Sequence, residues 1–281
     1  MHYSTLDEAL SAAQQLKPAV TAIILCESEF LLDETIVHLQ DAGFTALIAV
    51  GPGAAGAQRA AKDGVDIVSS PADIMNAQSR AGTMNRVIAA AAGRWMLVCF
   101  NGDFLFYPFR ESRRIQDFTE FLSWERRPAA IGYAIDLYSD ALGRDEQAFS
   151  LDDVYFDTEG WYGFERGEQQ SEVFGGLGWR FEEYTPRDMA KVNRPALFWS
   201  DPAVKMRSDL WFEDDVYNAI SCPWHNNPTL ALMSVRRAAA LRRHPNFSKA
   251  VTSLMWPCSE RFGWRSDQLL RHGVIEAGQW L

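Results

Sequence analysis

The chain has 281 residues, which is enough to bury a substantial hydrophobic core in one large domain or in two of ordinary size. Hydrophobic residues make up 47% and charged residues 23%, as in typical globular proteins, so the composition argues against fibrous and disordered classes. The formal net charge is -10. Because such a protein repels a polyanion over most of its surface, we do not expect nucleic acid as a partner.

The start of the chain does not have the pattern of a secretion signal. Residues 1–17 are acidic and alanine-rich, with neither a basic start nor an apolar centre. No apolar run approaches the roughly 20 residues that a membrane-spanning helix needs. The cysteines form no C-x-x-C pair and indicate buried thiols in a reducing compartment. We therefore predict a cytoplasmic protein with no transmembrane segment, for which peripheral membrane contact stays open.

The first hundred residues alternate between strand and helix patterns. An apolar, β-branched run at residues 21–26 predicts the first strand. The helix that follows has one apolar stripe, formed by Leu32, Thr35, Ile36, Leu39 and Ala42. Further strands are predicted at residues 46–50, 65–68 and 95–100, and further helices at 58–62 and 83–92. This alternation is typical of a parallel sheet covered by helices.

The second half has a mixed pattern. It predicts a helix at 115–124, a strand at 129–137, functional loops over 140–184 and a last helix at 229–243. One side of that last helix carries Arg236, Arg237, Arg242 and Arg243, either as a solvated face or as a site for the phosphates of a ligand. We predict a single domain with a nucleotide-binding half (1–108), an acceptor-side half (109–245) and a C-terminal extension (246–281).

Polar residues follow the fourth predicted strand at once. Asn101, Gly102 and Asp103 stand where ligands of open α/β sheets bind, beyond the carboxyl end of a strand. Gly102 keeps the backbone accessible there. Carboxylate and amide oxygens suit hard cations such as Mn²⁺ and Mg²⁺. Asp103 can also be interpreted as a residue that caps a turn.

Residues 104–108, Phe-Leu-Phe-Tyr-Pro, complete a motif. They resemble the bacterial family 2-like glycosyltransferases, whose fourth strand ends in Asp-x-Asp-Glu-Phe-Leu-x-Tyr-Pro. In one alignment Asp103 falls on the Glu of that motif, while Phe100 and Gly102 replace its two aspartates. A shift of one residue pairs Asn101 and Asp103 with the Asp-x-Asp instead. In both alignments the acidic metal motif is degenerate.

Further segments over roughly residues 20–245 support this resemblance. Glu27 follows Cys26 as in the family's Asn-Glu opening, and residues 42–44 resemble its entry to the second strand. Later residues resemble the family's Gly-Gly-x-Arg, Lys-Val-Pro and Ser-Thr-His elements, namely Gly175, Gly176, Arg180, Lys191, Val192 and His225. Asn193 replaces the proline of the second element. The family's final His-Phe-Lys is here Ser234, Val235 and Arg236.

The resemblance implies a GT-A-like α/β fold, with a mixed, mostly parallel sheet and helices on both faces. It also implies transfer of a sugar from a nucleotide diphosphate sugar to a glycan, a lipid-linked acceptor or another hydroxyl compound. The donor site would contain Glu27 beside the nucleoside, with Asn101, Gly102, Lys191 and Arg236. Asp103, Asn101 and His225 would hold Mn²⁺ or Mg²⁺ at the diphosphate.

An inverting transfer needs a general base that deprotonates the acceptor hydroxyl. Besides Asp103, the candidates are carboxylates of the aromatic-rich region, namely Asp152, Asp153, Glu182 and Glu183. An acceptor sugar could stack there on Trp161, Tyr162 or Trp179. Solvated surface charge is the simpler interpretation of each of these carboxylates.

Two other functions stay open on the sequence. The eroded acidic motif is also typical of an inactive descendant that keeps the fold for glycan or partner recognition. In addition, residues 51–56, Gly-Pro-Gly-Ala-Ala-Gly, match the G-x-G-x-x-G fingerprint of NAD(P)-dependent oxidoreductases. The following predicted helix is short, and no acidic residue ends the next strand, so a glycine-rich turn is the favoured interpretation.

Overall fold

The structure is a computed structural model that describes residues 1–17, 20–140, 150–166, 170–185, 191–218 and 227–280. The described α-helices are α1 (Leu6–Ala13), α2 (Leu32–Asp41), α3 (Ala77–Ala90), α4 (Ile115–Trp124), α5 (Gly176–Arg180), α6 (Arg236–Arg243), α7 (Phe247–Ala250) and α8 (Ser266–Arg271). Among these residues no helix is long and apolar enough to cross a bilayer.

The described strands are β1 (Thr21–Leu25), β2 (Ala46–Val50), β3 (Asp66–Ser70), β4 (Trp95–Phe100), β5 (Asp103–Phe106), β6 (Ala129–Asp136), β7 (Tyr155–Asp157), β8 (Trp161–Arg166), β9 (Gln170–Gly175), β10 (Asn193–Trp199), β11 (Leu230–Ser234) and β12 (Ser259–Arg261). In the described chain, eight of them form one sheet in the order β3-β2-β1-β4-β10-β6-β11-β5. Two pairs, β8 with β9 and β7 with β12, lie outside it.

The large sheet is mixed. The strands β3, β2, β1 and β4 are mutually parallel, and β6 is parallel to β11. The strand β10 runs antiparallel to both of its neighbours, and β5 runs antiparallel to β11. Leu25 pairs with both Val50 and Phe100, so β1, β2 and β4 end at the same level. The predicted α/β fold with a mixed sheet is therefore confirmed.

Helices cover both faces of the parallel half. The strands β1, β2 and β4 are buried at every position, as strands covered on both sides must be. On one face, Ile36 of α2 and Phe118 of α4 share a core with Leu97. On the other face, Met84 of α3 shares a core with Ile23 and Val98. The alternation of side chains along each strand sends successive residues into the two cores.

Three local predictions are wrong in detail. The helix predicted at 58–62 is a 3-10 turn at Ala54–Gln58. The helix predicted at 229–243 is the strand β11 followed by α6, because Leu230–Ser234 pairs with β6 and β5. Residues 140–184 contain three strands and a helix where they are described, and are not only loops. For β11 and for β7, which pairs with β12, partners distant in sequence decide the local structure.

The predicted C-terminal extension packs against the far edge of the sheet. Phe262 and Leu269 share a core with Phe104 of β5 and Met233 of β11. Trp280 lies against Phe118 of α4, with ring centroids 5.0 Å apart. Phe262 and Leu269 thus cover one face of β11 and of the edge strand β5.

Candidate functional site

A cavity of about 410 Å³ opens beyond the carboxyl ends of β4 and β11. Phe100 and Ser234, the last residues of these strands, line it, and Arg194 comes from the start of antiparallel β10. The remaining charged lining residues are the cations Arg80, Lys191, Arg236 and Arg237 and the carboxylates Asp103, Glu172 and Asp209. This is the sheet edge at which open α/β folds bind ligands.

In the polar turn after β4, Asn101 and Gly102 form hydrogen bonds to neighbouring parts of the protein and do not face the cavity. Asn101 is 5% exposed, accepts a hydrogen bond from the Glu27 N–H at 2.8 Å and donates to the Phe30 carbonyl at 2.9 Å. Gly102 has φ +80° and donates from its N–H to the Thr35 hydroxyl at 2.8 Å. Neither residue lines the cavity. Their described contacts fix the β4–β5 turn against α2 and the loop before it.

Asp103 does line the cavity, but its charge is already paired. Its Oδ2 accepts the Phe100 N–H at 2.9 Å and lies 3.3 Å from Nη2 of Arg194. Its Oδ1 is buried and has no hydrogen-bond partner within the described ranges. The side chain is only 1% exposed. Asp103 therefore positions Arg194, which is a role that the sequence did not predict.

Glu27 and Arg236, predicted at the donor site, form a bidentate ion pair. The guanidinium donates from Nη2 and Nε to the two carboxylate oxygens at 2.6 and 3.0 Å. Arg236 also covers the Phe100 ring, with its Cζ 3.5 Å from the centroid. The cavity lining includes Arg236 but not Glu27. The pair joins the end of β1 to the start of α6 and places one cation at the cavity.

Lys191, which was predicted as a donor-binding residue, lines the cavity. It is 3.1 Å from a carboxylate oxygen of Glu172 and 4.0 Å from the ring centroid of Trp211. Burial lowers the pKa of Lys191, and Glu172 opposes this effect by favouring the charged ammonium.

Arg237 is held by a buried carboxylate that the sequence did not single out. Its Nη1 is 2.8 Å from Oδ1 of Asp136, the last residue of β6. Burial raises the pKa of Asp136, and Arg237 opposes this rise. The other carboxylate oxygen accepts the Leu177 N–H at 2.7 Å. Gly176 has φ +62°, and a Cβ on it would lie 2.4 Å from that oxygen, so this position of the Gly-Gly motif needs glycine.

The carboxylates predicted as general bases do not meet the cavity. Asp152, Asp153, Glu182 and Glu183 are exposed, and none of them is in its lining. Asp153 pairs instead with Arg261 at 3.5 Å. His225, predicted as a metal ligand, lies outside the described residues.

Asp209 is a cavity carboxylate that sequence reasoning missed. It lies in the loop after β10, and its side chain is 46% exposed. Burial raises its pKa, but hydrogen bonds from Arg207 and from the Trp211 N–H outweigh burial, so the pKa of Asp209 is lowered. Arg207 donates at 2.6 and 3.2 Å. Asp209 is therefore ionised at neutral pH, and the same hydrogen bonds reduce its affinity for a proton.

Exposed aromatic side chains lie next to the cavity. Tyr162 and Trp179 are 48% and 42% exposed, and their ring centroids are 5.6 Å apart. Phe174, which lines the cavity, lies 6.4 Å from Trp179 by ring centroids. We call these three residues the aromatic platform. Trp161, also predicted to stack on a sugar, instead lines a second cavity of about 210 Å³.

The described residues do not form the predicted site for Mn²⁺ or Mg²⁺. Among them, no group of three or more His, Cys, Asp or Glu side chains could hold a metal ion. Of the predicted ligands, Asn101 uses its amide on backbone groups, and the carboxylate of Asp103 faces Arg194. A hard cation needs several oxygen ligands, so this donor set does not fit it.

The glycines of the G-x-G-x-x-G match have a packing role. A Cβ on Gly53 would lie 2.2 Å from the Ser28 carbonyl carbon, and one on Gly51 would lie 2.4 Å from the Cys26 carbonyl oxygen. The segment that follows is a five-residue 3-10 turn. It lacks the α-helix N-terminus on which a dinucleotide fold places the pyrophosphate.

No protein-family model matches this chain, and no curated protein sequence has a significant match to it. The resemblance to family 2-like glycosyltransferases therefore rests on short motifs alone.

Proposed function

We propose that this protein is glycosyltransferase-like and binds a nucleotide diphosphate sugar in the cavity beyond β4 and β11. The observation that carries the proposal is the gathering of five cationic side chains around one cavity at the carboxyl edge of parallel strands. Arginine and lysine are the residues that bind phosphate groups in proteins, and this edge is where open α/β sheets bind nucleotides. The strand order and the motifs after β4 agree with a GT-A-like sheet.

The sugar passes to a hydroxyl group of a glycan, a lipid-linked compound or another acceptor. In the transfer, the acceptor oxygen forms a bond to the anomeric carbon while the bond from that carbon to the diphosphate breaks. The acceptor proton goes to a base, and the nucleoside diphosphate leaves with the electron pair. The cavity cations stabilise the charge that develops on the leaving group.

Asp209 is the base that we assign to this reaction. It is the most exposed of the three cavity carboxylates, since the side chains of Asp103 and Glu172 are 1% and 18% exposed. All three carboxylates are paired with a cation, Asp209 with Arg207, so the assignment rests on the greater exposure of Asp209. The aromatic platform reaches the cavity through Phe174 and gives the acceptor a stacking surface, because sugar C–H groups pack on aromatic faces.

A divalent metal, as the resemblance implies, would supply further charge neutralisation at the diphosphate when bound. The described donor set does not fit such an ion, so no step of the proposed reaction is assigned to it.

Asp209→Asn tests the assignment of the base. Donor binding is expected to persist, and transfer is expected to fall about 100-fold or more, because general base catalysis contributes on that order. The measurement is release of nucleoside diphosphate from a panel of UDP-, GDP- and dTDP-sugars with added glycan acceptors. Asp267→Asn is the matched control, because Asp267 forms the same Arg-x-Asp pair with Arg265 at 2.8 Å, outside the cavity.

If no sugar nucleotide binds the wild-type protein in calorimetry, the proposed function is wrong. If wild type transfers sugar and Asp209→Asn does so equally well, only the base is wrongly assigned.

A second candidate function is recognition without catalysis by a glycosyltransferase-fold protein. The observation that favours it is the pairing of Asp103, the one carboxylate of the degenerate motif, with Arg194. This candidate predicts that a sugar nucleotide or glycan binds but is not turned over. Turnover by the wild-type protein would contradict it.

A further inference from the structure

Three arginine side chains gather at the phenyl ring of Phe100, at the end of β4. The Cζ atom of Arg236 lies 3.5 Å from the ring centroid, and those of Arg194 and Arg80 lie 5.4 and 6.0 Å from it. All four residues line the cavity. A guanidinium that contacts a ring through its face keeps its in-plane N–H groups for hydrogen bonds. The ring therefore helps to hold these charges together without consuming their donors.

Arg194 and Arg236 have donors left for a ligand. A guanidinium carries five N–H groups. Arg194 uses Nη2 on Asp103, and its Nε is buried without a hydrogen-bond partner in the described part of the chain. Arg236 uses Nε and Nη2 on Glu27. Phosphate oxygens are acceptors only, and the planar fork of a guanidinium matches them.

The cavity is cationic although the chain is acidic. The lining holds the cations Arg80, Lys191, Arg194, Arg236 and Arg237 and the carboxylates Asp103, Glu172 and Asp209. Described partners from outside the lining include Glu27, Asp136 and Arg207. In the lining itself, five cations stand against three carboxylates, in a chain whose net charge is -10. This local reversal of sign concentrates anions at the cavity.

The cavity cations also repel one another. Burial lowers the pKa of Arg194, Asp103 opposes that effect, and Arg236 and Arg237 lower the pKa further. The last contribution is repulsion between like charges, which an anion bound among the three guanidinium groups relieves.

We infer that the cavity holds the diphosphate group of a nucleoside diphosphate directly on Arg194 and Arg236, with no divalent cation between protein and phosphates. The inference rests on the proposed function, because it concerns how the same cavity binds the donor. At the strand end where the family motif would supply metal carboxylates, this chain supplies fixed positive charge. Asp103 then serves as a positioning residue for Arg194.

Calorimetry of the full chain tests the inference with UDP, GDP, dTDP and inorganic pyrophosphate as probes. Each titration is run in EDTA and again with saturating Mn²⁺. We expect at least one nucleoside diphosphate to bind in EDTA, with a Kd within about threefold of its Kd in Mn²⁺. A threefold difference in Kd corresponds to a difference of less than about 1 kcal/mol in binding free energy.

Arg236→Gln removes one phosphate ligand. The variant is expected to fold, because the Glu27 carboxylate that loses its partner is already partly exposed to water. Arg194→Gln alone would leave Asp103 buried without its ion pair, so it is combined with Asp103→Asn. Each variant is expected to weaken binding in EDTA about tenfold or more, because hydrogen bonds to charged groups are strong. Arg59→Gln removes an exposed arginine that pairs with Glu29 outside the cavity lining, and this variant is expected to bind like wild type.

Binding that requires Mn²⁺, or that survives both cavity variants, overturns the inference and leaves the proposed function standing. Binding of pyrophosphate in EDTA without binding of any nucleotide supports the arginine site and contradicts the proposed donor. If the folded protein binds none of the probes under either condition, both proposals fail.

Discussion

Among single residues, His38 is a partly buried histidine held in its neutral form. Its Nε2 donates to the Leu105 carbonyl at 2.8 Å, and its Nδ1 accepts from Arg110 at 3.4 Å. Burial lowers its pKa from the ordinary 6.5 to about 3, and the positive charge of Arg110 lowers it in the same direction. Protonation would remove the acceptor that faces Arg110.

This pKa makes the stability of the protein depend on pH. Below pH 6.5 the unfolded chain is protonated at His38, whereas the folded protein is protonated there only below about pH 3. The free energy of unfolding therefore decreases as the pH falls from 6.5 to about 3. We expect His38 to contribute a loss of about 2 kcal/mol in the free energy of unfolding between pH 8 and pH 5. His38→Gln keeps a donor for Leu105 and does not titrate. In urea denaturation at pH 8 and pH 5, the variant should therefore lose about 2 kcal/mol less of its free energy of unfolding than wild type does.

His244→Gln is the control for this comparison, because His244 is the C-cap of α6 and its Nδ1 accepts the Asn246 N–H at an exposed position. An equal pH dependence in wild type and His38→Gln would contradict the assignment.

The candidate site was predictable at some residues and not at others. Asp103, Lys191 and Arg236 could be found from strand ends and motifs, and all three line the cavity. Asn101 was predicted to face a ligand, but the direction of its amide depends on the loop after β1, which packs on it from 74 residues away in sequence. Arg194 was missed although it is a charged residue in the otherwise mostly apolar strand β10, which is a pattern that the sequence does contain.

At the scale of elements, the turn after β2 illustrates how a motif can mislead. Residues 51–56 match a dinucleotide fingerprint, yet their glycines are required because the loop after β1 passes against them. Gly53 meets the backbone of Ser28, which cannot move aside as a flexible side chain would. The same glycine spacing can thus follow from close chain packing without a phosphate.

Two alanine substitutions test this explanation. Gly53→Ala is expected to lower the free energy of unfolding by about 1 to 3 kcal/mol, as overpacking does. Gly82→Ala, in the interior of α3 with nothing within 4 Å of the added Cβ, is expected to raise it by roughly 0.5 to 1 kcal/mol. Chemical denaturation of both variants measures the difference. NADH fluorescence that is enhanced by wild type and lost in Gly53→Ala would restore the oxidoreductase hypothesis.

Elements set by local pattern were predicted well, and elements set by distant partners were not. The predicted bounds of β2, β4 and α4 agree with the structure, because each has a clear apolar period and a turn signal at its ends. The segment before α6 reads Leu-Ala-Leu-Met-Ser and favours a helix locally. It forms β11 because β6 and β5 offer hydrogen bonds on both sides. No property of those five residues alone predicts that pairing.

At the scale of the whole molecule, the alternating first half predicted the parallel strands, but not the completion of the sheet. The strand β10 inserts antiparallel between β4 and β6, which are not adjacent to it in sequence. This insertion brings Arg194 to the carboxyl edge of β4, beside Phe100. The cationic cavity therefore depends on the topology of the sheet. The sequence predicted the part of it at the end of β4, but not the part formed by β10 with Arg194.

A crystal structure of the full chain, grown with saturating nucleoside diphosphate in EDTA, would show directly where the diphosphate binds. We expect diphosphate oxygens at roughly 3 Å from the guanidinium nitrogens of Arg194 and Arg236, the ordinary distance of a charge-assisted hydrogen bond. Nucleotide bound at another surface, or a cavity that stays empty while the nucleotide is saturating, would contradict it.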